Sequence, residues 1–309
     1  MPNADAPLRL GEGITGLSSV QIGGRECRAK CEQFLPTGSF KDRGAAVLLS
    51  VLRAMGVSQV VEDSSGNAGC SIAAYASKAN VSSHIVVPEA ASPGKIQQIE
   101  RFGGQVERVH GNRARASERA IALTEKRSFA SHVWNPFFLQ GTKTVAFELA
   151  EQLSWEVPDV IILPVGNGSL LLGLFLGFTE LLSSGAILKL PQLVAVQSKH
   201  CSPLCDLYEG NSPSQTAFSP TLAEGIAVAN PARGAQIVRA IQASKGCVLT
   251  VSEGKILEGQ REALNQGYWI EPTSAVAWAG AKTLFAGRFD SSQSCVIILT
   301  GHGYKTSMR

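Results

Sequence analysis

The chain has 309 residues, of which 44% are hydrophobic and 17% charged, with a net charge of +3. Such a length supports one large or two medium domains around a substantial core, and such a balance excludes a disordered chain. So small a net charge gives no reason to expect a nucleic-acid or membrane-surface partner. The basic run Arg108, Arg113, Arg115 and Arg119 is interrupted by Glu107 and Glu118, so it reads as a solvated helix face. The longest apolar run, Leu170 to Phe178, is nine residues and too short to cross a bilayer. No basic-then-apolar signal opens the chain, which points to the cytoplasm. Seven cysteines, odd in number and scattered, suit reduced thiols. Neither Cys27 and Cys31 nor His200, Cys201 and Cys205 has the Cys-x2-Cys spacing of a zinc site, so no metal is expected.

In chain order, Leu10 to Leu17 is rich in turn residues, and Glu26 to Phe34 is strand-like. The stretch Pro36-Thr37-Gly38-Ser39-Phe40-Lys41-Asp42-Arg43-Gly44 then leads into a helix-like run, Ala45 to Ala54. Pro36, Gly38 and Ser39 make a turn, so Lys41 falls where the chain changes from extended to helical. The segment behind it is almost wholly apolar. A lysine so placed is partly desolvated, its charged form is disfavoured, and its amine can form a Schiff base with an aldehyde. A solvated surface lysine is the alternative.

Short apolar runs follow at Gln59–Glu62, His84–Val87, Val106–Val109, Val160–Leu163, Leu193–Val196, Cys247–Val251 and Cys295–Leu299. Between most of them lie helix-like segments, at Ala68–Lys78, Lys95–Phe102, Ser117–Lys126, Thr144–Leu153, Leu170–Leu182 and Thr273–Phe285. This alternation predicts an α/β fold of βαβ units on parallel sheets, covered by helices on both faces. Ser212-Pro213-Ser214 marks a loop rather than a linker between independent domains.

Three strand-to-helix turns stand out. Ser64-Ser65-Gly66-Asn67-Ala68 places free N–H groups at a helix start, as an anion site or a plain N-cap. Gly166-Asn167-Gly168-Ser169 opens a helix from Leu170 that is apolar on nearly every side. A phosphate can satisfy such a buried helix start, although an ordinary turn is the usual explanation of Gly-x-Gly. Leu299-Thr300-Gly301-His302-Gly303 puts a hydroxyl at the carboxyl end of the last strand, where parallel sheets bind ligands.

The lysine stretch closely resembles the cofactor-lysine motif of threonine synthase and its relatives, the fold type II enzymes that use pyridoxal 5′-phosphate. The Leu10–Leu17 opening is similar to theirs, with Gly16 where proline is usual. Pro-Val-Gly-Asn-Gly-Ser resembles their phosphate loop, and Leu-Thr-Gly-His-Gly their strand end, in the same order along the chain. The resemblance implies two parallel-sheet αβα domains. Residues 1–46 and 146–309 would form a large cofactor-anchoring domain, and 47–145 a small mobile one. It implies Lys41 as catalytic base and cofactor anchor beside Phe40, and Asn67 on the cofactor's ring oxygen. Gly166, Asn167, Gly168, Ser169 and Leu170 take its phosphate, and Thr300 its pyridine nitrogen. Ser64, Ser65, Gly66, Asn67 and Ala68 take the carboxylate of a small amino-acid substrate. Glu271 in Glu271-Pro272-Thr273-Ser274-Ala275 would stand behind these groups, and His302 is either a base or structural. A homodimer is common among such enzymes.

The substrate is the open point. Relatives that use O-phosphohomoserine usually show Asn-Pro-x-Arg-x-x-Gly-Gln-Lys-Thr, whose arginine can pair with the substrate phosphate. Here Asn135 and Pro136 precede Phe138 in the arginine's place, and Thr142 replaces the glutamine. Lys143 or an arginine of the 108–119 run is the candidate replacement. The sequence therefore predicts a lyase of the threonine synthase group. A threonine or serine dehydratase is the alternative, which Ser-Ser-Gly-Asn and Ala223-Glu224-Gly225-Ile226-Ala227-Val228 resemble. A catalytically silent cofactor-binding regulator is a third reading.

Overall fold

The computed structural model describes residues 7–212, 219–287, 290 and 292–305. Pro213 and Ser214 of the expected loop lie outside them. The strands are β1 (Leu17–Ile22), β2 (Arg25–Lys30), β3 (Gln59–Glu62), β4 (Ser82–Pro88), β5 (Gln105–Val109), β6 (Ser128–Phe129), β7 (Val160–Pro164), β8 (Gln192–Ser198), β9 (Cys247–Val251) and β10 (Cys295–Ile298). They form two sheets, one in each of two compact units.

The first unit joins residues 7–13, Leu35–Thr142 and Lys305. Its four strands are all parallel, in the order β5-β4-β3-β6. The chain runs outward from β3 through β4 to β5 and returns to the other side of β3 as β6. Strand order thus reverses between β3 and β6, and open α/β sheets bind ligands past the carboxyl ends of such a pair. The core beside this sheet is built from Leu48, Leu49, Ile72, Tyr75, Ile85, Ile99 and Phe138. The helix Asn67–Ala79 belongs to that core, which is why its sequence is apolar and small on almost every side.

The second unit joins Ile14–Phe34 and Lys143–Tyr304. Its sheet runs β1-β2-β10-β7-β8-β9, parallel except for the antiparallel β1–β2 hairpin at one edge. All residues of β7 and β10 are buried, as strands between two helical layers must be. Here the order reverses between β7 and β10. Trp278, on the helix Pro272–Phe285, lies at the centre of this core.

All seven expected strands from Gln59 onward are present, and the expected helices fall within a few residues of observed ones. The strand-like run Glu26 to Phe34 divides. It pairs as β2 up to Lys30, then closes as a short 3-10 turn at Glu32–Phe34. The hairpin strand β1 and the helices Gly234–Ala243 and Glu253–Asn265 were not expected, although the first of these helices buries Gly234, Ile237, Val238 and Ile241 at helical spacing. The expected domain 47–145 concerns movement, and the division by packing is a separate property. No helix among the described residues is long and apolar enough to cross a membrane.

Candidate active site

In the first unit, Lys41 is the first residue of the helix Lys41–Ala54. Asp42 places it. This buried carboxylate accepts hydrogen bonds from the Thr37 N–H (2.7 Å), the Thr37 hydroxyl (2.6 Å) and the Ser71 hydroxyl (2.6 Å). Burial pushes the Asp42 pKa up, and these donors pull against that rise. The turn from Pro36 is thereby tied to the helix it precedes and to the helix Asn67–Ala79.

The half-buried Lys41 amine lies 4.7 Å from the centre of the Phe40 ring and 5.6 Å from that of Phe138. Phe138 is wholly buried. It packs over Gly44, where an added Cβ would come within 2.4 Å of the ring. Phe138, which stands where a phosphate-pairing arginine is usual, is thus an apolar wall 5.6 Å from the Lys41 amine. Three of the candidate replacements, Lys143, Arg115 and Arg119, hold carboxylates of their own, whereas the Arg113 charge acts on Glu62 and His132. In the second unit Lys143 bonds both oxygens of Glu180 at 2.9 Å. Within the first, Arg115 pairs with Glu118 and Arg119 with Glu107.

At the end of β3 the chain turns through Ser64 to Gly66 into the helix that begins at Asn67. The cap position of that helix, Gly66, brings no capping side chain. The Gly66 N–H donates to Ser64 Oγ at 3.3 Å, holding the turn open. Asn67 Oδ1 accepts from the buried Lys305 amine at 3.1 Å, a partner 238 residues away that no local pattern reveals. Behind the turn sit Glu62, Asp63 and His132, all buried. Glu62 Oε1 lies 2.5 Å from His132 Nδ1. Burial and the neighbouring Asp63 charge push the Glu62 pKa well up, and burial pushes that of His132 well down. The His132 ring also meets Phe138 edge-on, with centres 6.1 Å apart. Two acids ending an otherwise apolar strand were the available signal for this group.

In the second unit, β7 leads through Gly166 and Asn167 to the helix Ser169–Ser183. Gly168 sits at φ +76°, the left-handed region, and a Cβ there would meet Ile237 at 2.4 Å. Only glycine serves both conditions. The helix start is buried, with Ser169 and Leu170 enclosed, and its cap position, Gly168, brings no capping side chain. Buried amides at a helix N-terminus suit an anion with several oxygens. At the neighbouring strand end, the Thr300 N–H donates to Ser274 Oγ at 2.8 Å. The Thr300 hydroxyl is buried without a hydrogen-bond partner among the described residues. An amide cradle and an unused hydroxyl past the paired strands β7 and β10 fit a ligand carrying a phosphate and a ring nitrogen. Glu271 is buried against Gly301, and its N–H bonds the Gly301 carbonyl at 3.0 Å. His302 packs among Phe34, Trp269 and Tyr304, which favours the structural reading.

Two parallel α/β sheets with these sites define the architecture of fold type II pyridoxal-phosphate enzymes. Residues 8–301 match the family described as pyridoxal-phosphate dependent enzyme, and the chain belongs to that family. It is 34% identical over 291 residues to a threonine synthase of Methanocaldococcus jannaschii, covering 92% of this chain and 72% of that one. A threonine synthase of Methanosarcina acetivorans is 32% identical over 314 residues, covering 98% and 77%. Among solved structures, maize serine racemase superposes with a TM-score of 0.83 at 22% identity, covering 97% of this chain and 91% of that one. The T.th. threonine deaminase does so at 0.78 with 26% identity, covering 98% and 93%. The chain is thus a pyridoxal-phosphate dependent enzyme, with pyridoxal 5′-phosphate as its cofactor.

Proposed function

We propose that this enzyme is a lyase of the threonine synthase group and works through Lys41, as covalent cofactor anchor and then as base. The observation that carries the reading is the setting of the Lys41 amine. It is half-buried at the head of an apolar helix, walled by two phenyl rings, on a turn locked by Asp42. When bound, the cofactor withdraws electrons from the substrate's α-carbon, which makes the proton there removable. Lys41 Nζ takes that proton as general base. The amides of Ser64 to Ala68 orient the substrate carboxylate and Asn67 the ring oxygen. Gly166 to Leu170 hold the phosphate tail, and Thr300 meets the ring nitrogen with a neutral hydroxyl. That hydroxyl makes a weaker electron sink than a carboxylate would, which suits elimination of a group at the β- or γ-carbon.

The first substrate reading is O-phosphohomoserine, converted to threonine and phosphate. Identities of 30 to 34% with threonine synthases, over most of the chain, support it. The second is threonine or serine, dehydrated with loss of ammonia. The buried Phe138 favours it, because a phenyl ring cannot pair with a phosphate dianion. The test is a substrate panel on the purified protein, with the absorbance of the lysine-linked cofactor as a binding signal. Phosphate release with threonine formation selects the synthase; 2-oxobutanoate or pyruvate selects the dehydratase. Spectral binding without turnover on either panel would leave a cofactor-binding regulator.

A further inference from the structure

The reversal of strand order between β3 and β6 makes a ligand crevice in the first unit. Three groups furnish it: Glu62 ends β3, Asp63 follows it, and His132 lies just past β6. Each offers one ligand atom, these atoms lie within 4.8 Å of one another, and all three residues are buried. Their bonding capacity is only partly used. Glu62 Oε1 meets His132 Nδ1, and the Ser117 hydroxyl donates to the other oxygen of Asp63, Oδ2. Glu62 Oε2 and Asp63 Oδ1 are buried with no hydrogen-bond partner among the described residues. Two adjacent carboxylates with unmet oxygens are costly inside a protein unless they are neutralised or bound.

The structure assigns to Glu62, Asp63 and His132 a divalent-cation site at the β3–β6 crevice. One imidazole nitrogen beside two carboxylate oxygens suits a borderline ion of the zinc or manganese class better than an ion that takes oxygen alone. Three protein ligands leave a further position for water. The Ser64–Ala68 turn begins at the very next residue. A cation there stiffens that turn and cancels the negative charge behind it. This last consequence, easier capture of a substrate carboxylate, rests on the proposed function; the site itself does not.

The experiment uses the full-length holoprotein, stripped with EDTA and titrated with Mn2+ while free Mn2+ is read by electron paramagnetic resonance. One ion bound per chain is expected, with affinity at least about tenfold weaker in Glu62→Gln and in Asp63→Asn. X-ray absorption of the zinc-loaded wild type should show a shell of oxygen and nitrogen without sulfur. That measurement decides the matter even if a variant fails to fold. No stoichiometric Mn2+ or Zn2+, equal affinity in folded variants, or a sulfur shell would overturn the assignment and leave an adventitious ion only. Cofactor absorbance is recorded on the same samples. Metal bound without that band would count against the proposed function and not against this site.

Discussion

Both units reverse their strand order once, and each puts chemistry at the carboxyl ends of the strands concerned, but with different materials. Past β3 and β6 the groups are charged or aromatic side chains: Glu62, Asp63, His132 and, packed on the histidine, Phe138. Past β7 and β10 they are main-chain amides around Gly166 to Leu170 and one neutral hydroxyl, Thr300. An amide cradle belongs to the backbone path and survives most substitutions. A side-chain cluster can be exchanged position by position. Under the proposed function, the second unit would hold one constant anion, and the first is where selectivity among substrates would change without disturbing the fold. An arginine-to-phenylalanine difference at position 138 is a change of that kind.

The largest expected effect lies in the side-chain unit. Lys41→Ala should abolish the absorbance of the lysine-linked cofactor and lower kcat by more than about 1000-fold, since it removes both anchor and base. Retained absorbance would end the contrast drawn above, because the reactive group would then lie elsewhere. Next comes Gly44→Ala, whose methyl would sit 2.4–2.5 Å from three atoms of the Phe138 ring. Denaturant unfolding should show a loss of about 3 kcal/mol, the upper end for an overpacked core. Pairing it with Phe138→Leu should recover part of that loss, and simple additivity would show that the two residues do not share the site.

Gly168→Ala tests the main-chain unit. Its left-handed backbone costs an alanine about 1–2 kcal/mol, and Ile237 must shift to make room. Stability should fall by about 2 kcal/mol, and cofactor retention through dialysis should fall with it. The smallest effect is Thr300→Val. Its hydroxyl has no hydrogen-bond partner among the described residues, so the unfolding midpoint should stay nearly unchanged while kcat drops about tenfold. A stability loss without a change in kcat would make Thr300 structural, leaving the amide cradle as that unit's whole contribution.

Much of this was readable along the chain because the signals were local. Strands such as Val160–Pro164 are continuous apolar runs, since helices cover both faces, and Lys41, Gly66 and Gly168 stand at the changes from extended to helical backbone. β1 escaped because LSSVQI has only two buried residues and gains its strand character from pairing with β2. The helix Glu253–Asn265 escaped because just three of its residues are buried, so its apolar stripe is thin. The Asn67–Lys305 bond joins residues 238 apart, and no spacing rule reaches that far.

The sequence alone determined the alternation of strand and helix, the turns that expose backbone amides and the position of Lys41 at the head of a helix. Each of these depends on residues within a few positions of one another, where backbone preference and hydrophobic period act directly. Tertiary structure alone decided that Phe138 packs against Gly44 beside the Lys41 amine and that Glu62, Asp63 and His132 share one buried cluster. The reason is physical. Strand order in a sheet sets which distant segments become neighbours, and desolvation, which governs the chemistry of a charged group, exists only once those neighbours have arrived.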